Sequence, residues 1–546
     1  MAPISKIGLY FNTVVHLKPS QVFYRVWRKC GGKTRLKAGY TPHPDVMKAD
    51  VRRVPILAEL DFDPVFLSRF DVDAILDDRI ELLYHEEHVD WDASWHAELS
   101  TLLWRFNLHY CEYLLPLGKA YLDSDDRKYL DKAKVIIRSW IESCPQAKGG
   151  PAWDSYTISM RVVNWLAFYG ELQSHLDEDV AFAELFNRSL AEQFAYLACH
   201  LEIDLLANHY LENLKALVVL SCYFDDEETL DLALFRLMGQ VKEQILPDGM
   251  HFELSPMYHK IVLEDLMRVA SVLKASKCRG NDCKDFRLQD MCDCLYSLER
   301  NTSRTPLFND CGDNVAKSRD ALLSCAKIHF GIEPEFKPIF PDAGYCVLER
   351  KTESGLIKVV FDMGNPGPEY AMGHVHCDAL SFECFIDGEP CIVNRGTYAY
   401  QDVSRLDYKK TLSHSTVTAK GVEQHECWAP FRVARFGMGK MESMKGCEVL
   451  ASFSYQRNRC RINRRISLSA NSLIVEDGFS GCEALECAYI FSSKPACSIS
   501  NEFTCCDSVK ISVSFGLVAD GYRLVKQADS PVVSSFKYSQ LRKSNG

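Results

Sequence analysis

"GHVHCDALSFECFIDGEPCIVNRGTYAY", residues 373–400, decides how the second half of this chain is read. From Ala379 to Val393 a strand-like run meets Asp387-Gly388 and a second strand-like run follows. Side chains two apart share a face of an extended chain, and Asp-Gly suits the left-handed positions of a tight turn. The spacing therefore predicts two antiparallel strands joined by a short hairpin. Just ahead, His374, His376 and Asp378 recur at every second position. Extended backbone would point all three the same way, where they can bind a metal, supply a base or hydrogen-bond across a sheet.

The same texture continues outward. "AGYCVLER", "GLIKVVFDMG", "RRISLSANSLIVEDGF" and "VKISVSFGLV" are short and alternating, separated by Gly, Asp and Asn. So many short strands over some two hundred residues predict antiparallel sheets stacked as a sandwich over residues 336–546. Upstream the period changes. "HAELSTLLWRFNLHYCEYLLPLGKAYL", "SLAEQFAYLACHLE", "HYLENLKALVVLSCYF" and "KIVLEDLMRVASVLKAS" carry apolar residues at three- and four-residue steps, the mark of amphipathic helices. Residues 91–335 read as antiparallel helix pairs forming a bundle, a solenoid or a closed toroid. Residues 1–90, with Pro- and Asp-rich loops such as "YTPHPDV", read as an extension wrapped on the rest.

The 546 residues suffice for two to four domains. The charge of −11 argues against a nucleic-acid binder, which needs a basic face. An acidic protein that handles a polyanion must gather its cations in one cleft. The 23 cysteines, an odd number without a regular framework, point to free buried thiols and a reducing, cytoplasmic location, with the periplasm as the alternative. Cys278, Cys283, Cys292 and Cys294 do not have a standard zinc spacing. The N-terminus shows no apolar core of signal-peptide length. It carries an amphipathic basic helix after "KPSQ" that is expected to pack on the body, membrane-surface contact being the alternative. No apolar run is long enough to span a bilayer.

Three stretches of the helical half hold candidate chemistry. "LLANHYLENLKAL" places Asn208 where an N-cap would sit, followed by His209. "DGMHFELSPMYHKIVLEDL" has a turn at Asp248-Gly249, Glu253, Ser255 as N-cap and Pro256 at the first helical position. That puts Tyr258 and His259 in a first helical turn, facing a cavity. "PAWDSYTISMRVVNW" offers Trp153 and Tyr156 as a sugar platform and Arg161 as a carboxylate partner. In the β half, His414 of "TLSHSTVT" and Asn394 of "IVNRGTY" are the available further metal ligands.

The order "NH", "DG-HFE-S-MYH", "GH-H-DALSFE", "GTY-Y", "SHSTV", together with "PAWDSYTISMRVVNW", resembles the heparinase II/III-like and alginate-lyase polysaccharide lyases across about residues 95–435. The resemblance implies an incomplete α/α toroid followed by an antiparallel β-sandwich, and β-elimination on a uronic-acid-containing polysaccharide or oligosaccharide. It implies Asn208 and His209 near the substrate carboxylate, Tyr258 as catalytic acid/base and His374 as a further base or neutralising group. Trp153, Tyr156, Arg161, Glu253 and His259 are then expected to contact substrate. His376 and His414 would be ligands of a divalent metal, zinc or calcium, at the sandwich face. At Asn394 the metal-binding relatives carry an aspartate, and loss of that negative ligand weakens the site. Two other readings stay open. A glycoside hydrolase on this scaffold would draw two carboxylates from Glu253, Asp154, Glu212 and Asp378. A non-catalytic carbohydrate-binding protein would serve exopolysaccharide or capsule production.

Overall fold

The 3.6-residue periodicity becomes a succession of helices: Leu102–Tyr110, Leu114–Ser124, Arg127–Ser143, Ser155–Leu176, Val180–Leu197, Ala207–Phe224, Glu227–Gln244, Pro256–Ala275, Leu288–Glu299 and Arg319–Phe330. The computed structural model describes residues 6–37, 57–275, 286–455, 460–495 and 503–541. Cys278, Cys283 and the "YTPHPDV" loop lie outside them; Cys292 and Cys294 are buried thiols. Aspartates start several helices. The carboxylates of Asp126, Asp154, Asp179 and Asp226 accept N–H groups that the first turn cannot pair internally. These helices form an incomplete α/α toroid around Ala207–Phe224. Every residue of that central helix is buried except His209. Short helices and the hairpin Arg79–Leu82/His85–His88 pack on the same core through Leu60, Phe66, Ile75 and Leu82.

From Ile339 onward the chain is antiparallel sheet. Among the described residues the larger sheet runs, in spatial order, Cys505–Ser514, Leu517–Ala528, Leu485–Phe491, Glu389–Val393, Phe382–Ile386, Gly355–Asp362, Tyr345–Thr352, Ile339–Phe340, with Val417–Ala419 paired to Leu485–Phe491. The smaller runs Met438–Lys445, Glu448–Ser454, Arg461–Leu468, Ser472–Ser480, Val532–Lys537. The hairpin expected at Asp387-Gly388 is present: Ile386 pairs with Glu389, and both turn residues have positive φ, 50° and 86°, as a two-residue hairpin of matching twist requires.

Alternation along each central strand serves two interfaces. Cys346, Leu348, Ile357, Val359, Phe361, Phe382 and Cys384 meet Val449, Phe453, Ile462, Ile466 and Val475 of the smaller sheet in one core. The residues between them turn to the helices: Tyr345, Val347 and Val360 pack on Met250, Leu254, Leu298 and Phe308. Lys358, on that helical side, donates to the carbonyls of Ser297 and Arg300 at the end of helix Leu288–Glu299, where a cation is favoured. Inside the sandwich, Arg464 grips Asp477 with two bonds (2.7 and 2.9 Å) and donates to the carbonyls of Leu380 and Ser415 (3.0 and 3.1 Å). It thereby fixes the two loops that carry Asp378 and His414. The Asp248-Gly249 turn does the same for the helical side. The Asp248 carboxylate accepts the N–H groups of Asp342 and Ala343. A Cβ on Gly249 (φ +95°) would lie 2.3 Å from the Asp290 carbonyl.

Candidate active site

Tyr258 is delivered by its helix start. The Ser255 hydroxyl accepts the Tyr258 N–H (3.3 Å) and donates to the Asp310 carbonyl (2.6 Å), tying helix Pro256–Ala275 to the Asp310 loop. Tyr258 Oη lies 2.7 Å from Tyr400 Oη, and its ring centroid is 4.2 Å from that of His374. Burial, then the nearby Asp310 charge, raises the Tyr258 pKa above its ordinary value. The phenol is therefore protonated at neutral pH, an acid before it is a base.

His374 leans on Asp310. Its Nδ1 is 2.8 Å from Asp310 Oδ2; donation of Nδ1–H to that carboxylate leaves Nε2 with its lone pair, 3.7 Å from Glu253 Oε2. Asp310 is a fully buried hub. It also accepts from His376 Nε2 (2.8 Å), Thr397 Oγ1 (3.1 Å) and both Nη groups of Arg405. Burial alone would push this carboxyl up, but Arg405 and the two histidines outweigh it and hold the pKa well below the usual range. The carboxylate stays charged and keeps the imidazole oriented.

His209 is the one residue of helix Ala207–Phe224 that is not buried. Its Nδ1 is 3.0 Å from Glu202 Oε1, whose other oxygen accepts the Asn213 amide (3.0 Å). Partial burial works against charge on the ring, yet Glu202 more than compensates and lifts the His209 pKa to about 9. At neutral pH this is a cation, with 38 % of its side chain exposed. Tyr156 packs against it, centroids 4.7 Å apart, and Tyr156 and Tyr110 line a cavity of about 400 Å³ that also touches Phe515. Phe515 packs on Tyr400, the residue bonded to Tyr258; Tyr258 and His374 do not themselves line the cavity.

Asn208 is not an N-cap. The helix begins at Ala207 after Leu206, and the Asn208 amide donates to both oxygens of Glu253 (2.9 Å each). Glu253, 2 % exposed, is thus a buried holder of Asn208 rather than a substrate contact. Through it Asn208 and His374 are joined, so Asn208, His209, Tyr156, Tyr258 and His374 meet at one place. Three expected contacts do not. Trp153 is buried, its indole N–H donating to the Cys144 carbonyl and its ring packed on Tyr196. Arg161 sits five residues beyond Tyr156, roughly 140° further round the helix. It is wholly buried, donating to Gln193 and the His109 carbonyl with its guanidinium 3.9 Å over the Trp140 ring. His259, one residue past Tyr258, turns into the core, accepts the His251 N–H and donates to the Met291 carbonyl; burial lowers its pKa to about 3.

The sandwich-side pair has unmet needs. With Nε2 donating to Asp310, His376 has a lone pair on Nδ1 with no partner, and neither ring nitrogen of His414 makes a hydrogen bond of good geometry. The rings are 5.2 Å apart and fully buried. Burial depresses both pKa values, His376 to about 4. Two neutral imidazoles, one backed by a carboxylate, are a donor set suited to zinc more than to calcium. Asn394 does not complete it as it stands: its Oδ1 accepts the Ser415 N–H and its Nδ2 donates to Ser381. Asp378 accepts the Asn309 N–H. Among the described residues the one group of three His, Cys, Asp or Glu ligands lying close together is Glu59, Cys325 and His329. There His329 already bonds Glu59, and burial raises the Cys325 thiol to about 12.

Two family models match the chain: Heparinase II/III N-terminus over residues 68–330 and Heparinase II/III-like, C-terminal, over 334–524. The chain belongs to the heparinase II/III family. Among curated relatives, a heparin-sulfate lyase of Pedobacter heparinus is 24 % identical over 60 % of this chain and 53 % of its own length. A heparin-sulfate lyase of Bacteroides thetaiotaomicron is 22 % identical over 44 % and 37 %. The chain thus spans about half or less of the length of these two relatives. Among solved structures, heparinase III superposes with a TM-score of 0.67 at 15 % identity, covering 96 % of this chain and 93 % of that one. A heparan sulfate lyase from Pedobacter heparinus gives 0.54 at 18 %, covering 95 % and 88 %. At these identities the likeness is one of fold, and the heparinase II/III architecture, toroid then sheets, is what this chain shares with them.

Asp310, Tyr400, Arg405 and Glu202 went unremarked in the sequence. Tyr400 stood in the ordered motif as the last residue of "GTYAY". Asp310 sits in a loop and Arg405 opens the short helix Arg405–Lys409, neither long enough to show a periodicity, and only tertiary contact shows their pairing.

Proposed function

We propose that this member of the heparinase II/III family is a polysaccharide lyase that breaks uronic-acid-containing chains by β-elimination. The observation that carries the proposal is proximity: Glu253 holds the Asn208 amide and lies 3.7 Å from an Asp310-backed His374, whose ring packs on Tyr258, and the cationic His209 follows Asn208 on the same helix. In this reading the substrate carboxylate lies against His209 and Asn208. Charge builds on it as the neighbouring C5–H proton leaves, and one preorganised donor there is worth about 3 kcal/mol in the transition state. His374 Nε2 takes that proton, and Asp310 stabilises the imidazolium formed. The electron pair becomes the C4–C5 double bond, the C4–O bond breaks, and Tyr258 gives its phenolic proton to the departing oxygen. The Tyr400 hydroxyl, bonded to Tyr258, is placed to restore it.

The substrate class follows from the cation and from the relatives' names; an anionic glycosaminoglycan is the first choice. The carboxylate arrangement favours elimination over hydrolysis, since Glu253 and Asp378 are buried beneath other groups, Glu212 is paired with Lys215 and Asp154 caps a helix. As a separate element of the proposal, His376 and His414 would hold a divalent ion, which would fix the His376 ring that donates to Asp310. Incubation with a panel of uronate polysaccharides, reading near-ultraviolet absorbance and reducing ends together, tests the reaction. Both signals rising supports elimination; reducing ends without absorbance means hydrolysis, and neither signal means no turnover.

A further inference from the structure

We propose that the N-terminal helix pair Lys6–Val14 and Pro19–Lys29 docks this protein on an anionic phospholipid surface. The pair is attached inside out. Helix Pro19–Lys29 buries Gln21 alone, while Val22, Phe23, Val26 and Trp27 are 40, 60, 58 and 46 % exposed. Helix Lys6–Val14 buries nothing; Ile7, Phe11, Val14 and the following Val15 are 81, 70, 48 and 61 % exposed. Spacings of three and four put each set on one side of its helix.

The bonds to the body come largely from polar groups. Lys18 pairs with Glu243, and Gln21 donates to the carbonyls of Leu205 and Tyr370. Arg28 pairs with Asp204, Arg25 donates to the Asp204 carbonyl, and Thr13 bonds the Val433 carbonyl and the Trp428 indole. A helix meant to fill the core would present its apolar stripe inward. Here the polar side is spent on the protein and the apolar stripe is left outward.

Charge selects the partner. Residues 6–37 contain Lys6, Lys18, Arg25, Arg28, Lys29, Lys33, Arg35 and Lys37 and no acidic residue, in a chain of net charge −11; Lys18 and Arg28 are spent on Glu243 and Asp204, and the other six supply the attraction. An anionic bilayer would repel most of this molecule and attract this segment, at about 1 kcal/mol per cation near the surface. A basic helix with exposed Phe, Val and Trp is the form that lies in the interface plane. No described helix is long and apolar enough to cross a membrane.

The full chain is floated with vesicles of phosphatidylcholine alone and of equal phosphatidylcholine and phosphatidylglycerol. The expected result is flotation with the anionic vesicles only, weakened by salt. The double variant Phe11→Asp, Phe23→Asp should lose roughly a hundredfold in partitioning, from two buried aromatic side chains exchanged for charges, with unchanged melting temperature. Absence of flotation, or flotation equally strong in the double variant, overturns the proposal. So does a wild-type dimer that the same variant turns into a monomer, which would give the stripe to a second copy.

Discussion

Glu202→Gln isolates the charge on His209. The swap keeps the shape of the buried side chain and removes the anion 3.0 Å from the imidazole. With Glu202 present the His209 pKa is about 9; without it, burial still works against the charge, only the Asp154 and Glu253 carboxylates still favour it, and the pKa falls. At pH 8 the ring, about nine-tenths charged with Glu202 present, then loses charge. The alkaline limb of kcat/KM should therefore move down from near pH 9, with KM for an anionic chain raised up to about tenfold at pH 8. The folded-state pKa lies above the unfolded one, so the pair's stabilisation is complete below about pH 6.5 and fades as pH climbs through about 9. In the variant that decline disappears. The substitution also brings a second amide against that of Asn213, costing about 1–3 kcal/mol, which denaturant unfolding measures separately. NMR titration of the imidazole signals, with His209→Ala to assign the resonance, is the direct assay. An alkaline limb that stays near pH 9 in Glu202→Gln refutes the reasoning.

Other outcomes follow from single contacts. Arg161→Ala should leave binding of anionic chains unchanged at every salt concentration and cost about 2–5 kcal/mol of unfolding free energy, because it vacates a core site and orphans the Gln193 and His109 acceptors; a salt-dependent affinity loss would return Arg161 to the groove. His374→Ala should cut kcat by at least about a hundredfold while changing KM little, and a pure KM defect would remove His374 from the proton transfer. Elemental analysis should find a divalent ion in wild type and none in His414→Ala; metal-free wild type would leave His376 and His414 as a plain polar pair.

The parts of this molecule that a single sequence reveals are those with local causes. The alternation around Asp387-Gly388 and the Ser255-Pro256 helix start are decided by neighbours a few residues apart, and the strand pair and Tyr258 stand where those signals put them. The rotation of a side chain about a buried helix is not local. Trp153, Arg161 and His259 looked as competent as Tyr156 and Tyr258, but a toroid helix is covered on more than one side, and two of the three turn away from the groove by a fraction of a turn. Asn208 looked like a cap because Asn often caps; its amide is held instead by Glu253, forty-five residues on. Asp310 shows the limit plainly: one loop aspartate binds Arg405, ninety-five residues away, and organises both histidines.

The most direct test compares wild type with Tyr258→Phe on a uronate glycosaminoglycan, following the near-ultraviolet absorbance of the C4–C5 double bond. Wild type should give unsaturated product and the variant almost none, while the variant's melting curve and substrate affinity stay close to wild type because only one hydroxyl is lost. Undiminished formation of the double bond by Tyr258→Phe, or cleavage by wild type that yields only saturated ends, would contradict it.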